Sequence, residues 1–407
     1  MDGPGGQKFN VGGVLLDRPF KIRRLGHFGF NVRNFDACLK FYTELLGFAL
    51  SDPLDFGPRV ADEDARRAFD ATTGWFMRHG GDHHSFVLFP KPVLDHIGGR
   101  SSRPDNTINQ ITWQVGSLRE VAEAENWLRG HDIRIRRSGR DQPGSNWHVY
   151  PFDPDEHINE LYYGIEQIGW DGRSKPPALH EEEFRDQPGL PQIPEYAEVE
   201  RARAHGTDLA SGYRHESGLE ARYDVGGVLL PRPFKAVRVG PVRLFTGDLD
   251  AAIGFYRDRL GMTVTEEIAW NGHRCAFLRV NTEHHSLALY PIALRAELGL
   301  GEHTTCMSFG VQLGDYAQLR ASLGFLGERG VDIVHLPPEL SPGIDYSAFA
   351  IDPDGHAIQL YYYMEQIGWD GRPRSATERR PGGGDWPEAL DPLPDTFAGE
   401  PFLGPLG

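Results

Sequence analysis

One octapeptide occurs twice in this chain. Glu166-Gln167-Ile168-Gly169-Trp170-Asp171-Gly172-Arg173 returns unchanged as Glu365-Gln366-Ile367-Gly368-Trp369-Asp370-Gly371-Arg372. Each copy follows a strand-like segment, His157-Ile158-Asn159-Glu160-Leu161-Tyr162-Tyr163 in the first and His356-Ala357-Ile358-Gln359-Leu360-Tyr361-Tyr362 in the second. The carboxylate of the first segment has become an amide in the second. The start is duplicated as well: Val11-Gly12-Gly13-Val14-Leu15-Leu16 and Arg18-Pro19-Phe20-Lys21 reappear 214 residues later, from Val225 and from Arg232. At Glu160 and Gln359 the offset has fallen to 199, so the first copy carries 15 additional residues. They are most visible between Asp52 and Thr72, where Pro, Gly and charged residues dominate, and they read as a longer surface loop or a lid.

A chain of 407 residues that repeats itself in this way is constrained to two similar domains, each with its own core. The expected division is 1–170 for the first repeat, 171–222 for a polar, Pro-containing connector, 223–370 for the second repeat and 371–407 for a Gly/Pro-rich tail. Tyr196, Leu209 and Tyr213 offer apolar anchors for the connector, as do Trp386, Leu390 and Phe397 for the tail. Glu181-Glu182-Glu183 and Pro188-Gly189-Leu190-Pro191 mark the connector as polar and irregular.

Each repeat divides again. Leu25 to Val32 alternates as a strand, and Ala37, Cys38, Phe41, Tyr42 and Leu45 then form an apolar face at helical spacing that Gly47 ends. Gly240 to Thr246, Leu249 to Leu260 and Met262 to Val264 repeat that pattern. In the other half of the first repeat, Ile111 to Val115 is a strand, Ser117 and Glu120 suit a capping box, and Val121, Ala124 and Leu128 supply the helical stripe. Short strands follow at His131 to Arg136, Trp147 to Tyr150 and Ile158 to Tyr163. Met307 to Val311 and Asp315 to Glu328, with the strands after them, match this half in the second copy. The unit is strand, helix and three strands, present four times.

The net charge of -16 argues against a polyanionic partner such as nucleic acid. No apolar run reaches the length of a signal sequence or a membrane span, which favours a soluble, cytoplasmic protein with no membrane partner. Cys38, Cys275 and Cys306 lack paired spacing, so neither a disulfide framework nor a thiolate zinc site is indicated. Phosphate loops, nucleophilic serine triads and HExxH motifs are missing too.

Three recurring features now bear on family: Phe41-Tyr42 before Leu46-Gly47 and Phe255-Tyr256 before Leu260-Gly261, His83-His84-Ser85 and His284-His285-Ser286, and the turns Asp153-Pro154-Asp155 and Asp352-Pro353-Asp354. On these the chain resembles the vicinal oxygen chelate superfamily, in particular extradiol ring-cleaving dioxygenases of the catechol 2,3-dioxygenase kind, over about 25–163 and 239–363. The resemblance implies an α+β fold in which four βαβββ modules make two barrel domains around a metal-binding cavity. It further implies a non-haem iron(II) centre, with manganese(II) or another divalent metal as the alternative. A small, catechol-like aromatic substrate and dioxygen would be the partners, and barrel edges leave homo-oligomerisation open.

Carried over residue by residue, the resemblance assigns the metal to His27, Gln110 and Glu160. Extradiol enzymes normally have histidine where Gln110 stands, and an amide is the weaker ligand; glyoxalase-like members of the superfamily do use glutamine. The second repeat has Pro241 and Gln359 in the corresponding places, with Cys306 expected opposite Gln110, and is read as having lost its site. The resemblance gives the proton-transfer role to His84, with His83 as alternative, and counts Tyr150 among the catalytic residues. The same histidine pair in the second repeat favours a structural role instead. Glu156 departs from the family's turn, and the upstream histidine of the family signature is absent from Asp141-Gln142-Pro143. Tyr150, Tyr162 and Trp147 either line an aromatic pocket or complete the core. Arg134, Arg136, Arg137 and Arg140 either draw an anionic substrate or form a solvated face. Three functions stay open: extradiol-type dioxygenase, glyoxalase-like metal-dependent isomerase or lyase, and metal-free small-molecule-binding protein.

Overall fold

The computed structural model describes residues 7–98, 103–140, 144–180, 189, 195–379 and 386–390. Within them the repeats form two eight-stranded mixed sheets of identical order. The first contains β1 (Arg24–Val32), β2 (Ala49–Asp55), β3 (Thr73–Arg78), β4 (Phe86–Pro90), β5 (Ile108–Gln114), β6 (Ile135–Gly139), β7 (His148–Pro151) and β8 (Asn159–Tyr162). Their spatial order is β2-β3-β4-β1-β5-β8-β7-β6. The second contains β9 (Ala236–Thr246), β10 (Thr263–Trp270), β11 (His273–Arg279), β12 (Leu287–Pro291), β13 (Cys306–Leu313), β14 (Ile333–Val334), β15 (Ser347–Ile351) and β16 (Ala357–Tyr361), ordered β10-β11-β12-β9-β13-β16-β15-β14.

Each sheet is two βαβββ units joined side by side. Within a unit the first and last strands are parallel, β1 with β4 and β5 with β8, and the units meet where β1 and β5 run antiparallel. Parallel neighbours cannot be joined by a tight turn, and here the helix and two intervening strands make the return. The closed barrels expected from the resemblance are not found among the described residues, because the outermost strands β2 and β6, and β10 and β14, do not pair with each other. Closure needs continuous ladders at those edges. Instead β14 has only two residues, and the β6–β7 register is interrupted between Ile135 and Ser138.

The sequence-level elements are recovered with local differences. The helix after β1 is α-helical over Phe35–Lys40 and widens into a π turn over Phe41–Leu45; Leu249–Gly254 and Phe255–Arg259 do the same. Ser117 accepts from the Glu120 N–H, but the Glu120 carboxylate does not close a capping box. It accepts instead from the Lys21 N–H and the Arg23 guanidinium. Asp52 belongs to β2 and not to the insertion. Ala49 pairs with Arg78 as Thr263 pairs with Arg279, so the extra residues of this hairpin lie beyond Asp55. They contribute Phe56 and Val60 to a small core with Phe76, Val87 and Phe89, which makes this segment a packed cover.

Two of the motifs that repeat, Phe-Tyr and Asp-Pro-Asp, join the repeats. Tyr42 donates its hydroxyl to Asp352 at 2.8 Å, and Tyr256 donates to Asp153 at 2.8 Å. His356 sits between Asp352 and Thr107, and His157 between Asp153 and Thr305, each ring bonded to both repeats. Phe28 stacks on Phe309 at 4.6 Å, so both cores merge across this seam. Trp386 and Leu390 pack on the core as expected, and Tyr213 lies against Trp75 at 5.2 Å. Tyr196, 74% exposed, does not anchor the connector. Phe397, Glu181-Glu182-Glu183, Pro188, Leu190, Pro191 and Asp141-Gln142-Pro143 lie outside the described residues. All three cysteines are buried and free. Among the described residues no helix is long and apolar enough to cross a membrane.

Candidate metal centre

Strand register brings the three expected ligands together. His27 on β1 and Glu160 on β8 both lie beside Thr112 of β5. Gln110, two residues away on β5, shares its face. His27 Nε2 is 3.1 Å from Glu160 Oε2, and Gln110 Nε2 is 2.8 Å from the former and 2.9 Å from the latter. Donors bound at right angles to one first-row metal at about 2.1 Å would be about 3 Å apart. The set therefore fits a divalent cation, once the Gln110 amide is turned to present its oxygen.

Glu160 is buried, which opposes its ionisation. The charge and hydrogen bond of His27, the charge of His148 and the Thr112 hydroxyl outweigh that and hold its pKa down to about 2. Thr112 Oγ1 donates to Oε2 at 2.9 Å, and His148 Nδ1 stands 3.4 Å from Oε1. Motif spacing does not assign His148. The antiparallel pairing of Tyr162 with His148 brings it to Glu160.

A narrow cavity opens on this cluster, lined further by Phe76, His84, Phe89, Arg137, Ser145 and Tyr150. Of the four arginines singled out in the sequence, Arg137 reaches the cavity, with its guanidinium 4.5 Å above the Tyr150 ring. Arg134 lies over Phe152 and Arg140 pairs with Glu198. Tyr150 is a wall residue and Trp147 a core residue, while Tyr162 packs on the His27 ring at 5.4 Å.

His84 and His83 have unequal places. The His84 ring is 4.2 Å from that of His27, whereas His83 is set behind it, with the two Nδ1 atoms 2.9 Å apart. Burial, followed by the neighbouring imidazoles, pushes the His84 pKa well below the usual histidine range, so this ring is neutral near pH 7. His83 Nε2 meets Asp52 Oδ2 at 2.7 Å. The corresponding acid Glu266, 214 residues later and also ahead of a His-His pair, is the sequence signal that would have found Asp52.

The second repeat is built differently at the same place. Pro241 and Gln359 stand where expected, but register puts Ser308 opposite Gln110, since Gly29 pairs with Gln110 as Arg243 pairs with Ser308. Cys306 falls two residues short of it. Arg243 takes the place of Gly29, and Ala288 that of Val87, an exchange of sizes: a Cβ on Gly29 would come within 2.1 Å of the Val87 side chain. The buried guanidinium donates to Ser341 Oγ at 2.8 Å and to His285 Nε2 at 3.3 Å. The second repeat thus keeps a fixed side-chain cation there and has no carboxylate in the position of Glu160.

Elsewhere, potential ligand atoms of His303, Asp354 and His356 lie within 4.8 Å of one another. Both ring nitrogens of His356 are engaged by Asp352 and Thr107, and Asp354 accepts from the N–H groups of Arg33 and Asn34. Asp354 and His356 thus serve the seam between repeats.

A family model described as the Glyoxalase/Bleomycin resistance protein/Dioxygenase superfamily matches residues 24–161 and 238–360. No curated protein matches the chain. Among solved structures, the anaerobic 3,4-dihydroxyphenylacetate complex of homoprotocatechuate 2,3-dioxygenase from Brevibacterium fuscum is 16% identical, with 89% of each chain covered and a TM-score of 0.55. BphC, a halotolerant catechol dioxygenase, is 15% identical over 88% of this chain and 93% of its own, with a TM-score of 0.54. The Mn(II)-bound glyoxalase from Novosphingobium aromaticivorans is 15% identical over 86% and 85%, with a TM-score of 0.52. At these identities the likeness concerns the fold.

Proposed function

Since the chain belongs to the glyoxalase/bleomycin resistance protein/dioxygenase superfamily, we propose that it is a metal-dependent dioxygenase that opens a catechol-like aromatic ring with dioxygen in its first repeat. The observation that carries this reading is the convergence of His27, Gln110 and Glu160 within 3.1 Å of one another at a cavity with aromatic walls. These residues would hold iron(II), or manganese(II) as the alternative. When bound, the metal supplies a Lewis-acidic centre that orients substrate oxygens and dioxygen side by side and passes electrons between them.

The chain's own groups do the rest. Glu160 brings the negative charge, and the Thr112 hydroxyl fixes its direction, with His148 Nδ1 3.4 Å from its other oxygen. Phe76 and Phe89 exclude water and offer apolar faces to a ring, while Arg137 favours a substrate with an anionic side group. His84, neutral beside the cluster, takes the proton of a substrate hydroxyl. The amide of Gln110 favours a second reading, an isomerase or lyase that needs no oxygen.

Oxygen uptake tests the proposal. Iron(II)-loaded chain given a panel of catechols is expected to consume oxygen and form a product heavier by one dioxygen. His84→Ala should slow turnover by about 10²- to 10⁴-fold, the range of a lost acid–base group, and keep its metal. Turnover of a substrate without oxygen uptake would favour the isomerase, and neither metal retention nor turnover would leave a binding protein.

A further inference from the structure

We infer that Asp52 is a positioning residue: acting through His83, it fixes the proton of His84 on Nδ1 and leaves the other nitrogen of that ring free to accept at the cavity. The inference rests on the reading of His84 as proton acceptor and adds the device that sets its tautomer. The direction follows from the donors available. A carboxylate has no proton to give, so His83 Nε2 carries hydrogen and donates it to Asp52 Oδ2 at 2.7 Å. With one N–H on the ring, His83 Nδ1 accepts from His84 Nδ1–H at 2.9 Å, the order that the second repeat imposes on its own pair. Nε2 of His84 is left as an acceptor.

The second repeat fixes the same direction from its opposite end. Arg243 can only donate, so His285 Nε2, 3.3 Å from its Nη2, is an acceptor and the His285 proton lies on Nδ1. That proton goes to His284 Nδ1 at 3.0 Å, and His284 Nε2–H goes to Glu266 at 2.9 Å. Carboxylate, imidazole and imidazole are thus ordered alike in both repeats. In the second, Arg243 closes the end that the first presents to its cavity.

The middle ring is clamped in both. Gly144 and Gly343, at φ values of 71° and 80°, lie so close to His83 and His284 that a Cβ would come within 2.2 and 2.4 Å of the ring Cγ atoms. Ser51 Oγ also donates to the His83 carbonyl, and Glu166 O accepts its N–H. A ring held in this way transmits the choice of tautomer instead of rotating out of line.

The test is ¹⁵N NMR of histidine-labelled, metal-free protein, with the His84 signal assigned by its loss in His84→Gln, together with kinetics of the iron-loaded enzyme. Wild type is expected to show His84 as the Nδ1–H tautomer. Asp52→Asn presents an amide N–H to His83 and should move the His84 proton to Nε2. Its kcat should fall by about 10²-fold or more, with KM and metal content little changed. Asp52→Glu, the acid used by the second repeat, should restore the wild-type tautomer. An Nε2–H tautomer for His84 in wild type would overturn the inference even if Asp52→Asn does not fold, as would an unmoved proton in a folded Asp52→Asn. The NMR readout requires no turnover, so it stands apart from failure of the acceptor reading, which would appear as full activity in His84→Ala.

Discussion

Glu160→Ala protein is expected to emerge from iron(II) loading with metal at background and to consume no oxygen, while its far-ultraviolet circular dichroism stays that of the wild type. Glu160 contributes the negative charge among the three proposed ligands, and imidazole and amide alone are a poor match for a hard divalent cation. The loss extends past one ligand. Glu160 Oε2 is also where His27, Gln110 and Thr112 meet, so its removal frees all three side chains from their common anchor. Buried polar groups left without partners cost about 1–3 kcal/mol each, and the melting temperature should fall with the metal. Gln359→Ala, at the same position of the second repeat, should leave metal content and oxygen uptake near wild type. Equal metal in Glu160→Ala and wild type would remove the assigned centre.

Asp352→Ala is expected to be the most destabilising single change at the seam. One buried carboxylate there accepts from the N–H groups of Asp354 and His356, from the Tyr42 hydroxyl and from the His356 ring. Each buried donor left without the carboxylate that it shares costs about 1–3 kcal/mol. Denaturant titration checks this, and an unchanged midpoint would contradict the role given to the seam. The same groups set a pH window. Burial works against ionisation of Asp352, but His356 and the hydrogen bonds to it hold the carboxyl below its ordinary value. A lowered folded-state pKa contributes stability that is present above about pH 4 and lost as pH falls through the lower value. Burial also works against a charged His157, but Asp153 outweighs it and raises the pKa. That contribution is present below about pH 6.5 and is lost as pH rises through the raised value. Seam stability should therefore decline on both sides of a mildly acidic range.

Much of this architecture is legible because duplication doubles every signal. Phe-Tyr, His-His-Ser and Asp-Pro-Asp are conspicuous in the sequence by recurring, and the structure shows why two of them recur: each repeat's tyrosine closes on the other repeat's aspartate. His27, Gln110 and Glu160 could be named because strand periodicity and family position agree, although 133 residues separate the first from the last. What sequence reasoning missed depends on register between strands. Asp52 stands at the edge of the segment that reads as insertion; the matching acid Glu266 points to it, and the pairing of β2 with β3 places it on a strand. His148 is brought in by its antiparallel partner Tyr162. Ser308 replaces Cys306 as the counterpart of Gln110 because the offset between repeats has changed by that point in the chain. Arg243 carries no signal in its local pattern; it is buried in a strand beside the small side chain of Ala288. The open sheet edges depend on which outer strands are too short or too irregular to pair, and local pattern carries little of that information.

On the proposed reading the first repeat holds a metal and the second does not. Elemental analysis of wild-type chain, loaded anaerobically with iron(II) and freed of excess by gel filtration, tests it most directly. About one iron per chain is predicted, since only one repeat combines imidazole, amide and carboxylate at a single point. Two per chain would contradict the loss of the second site, and none would contradict the first.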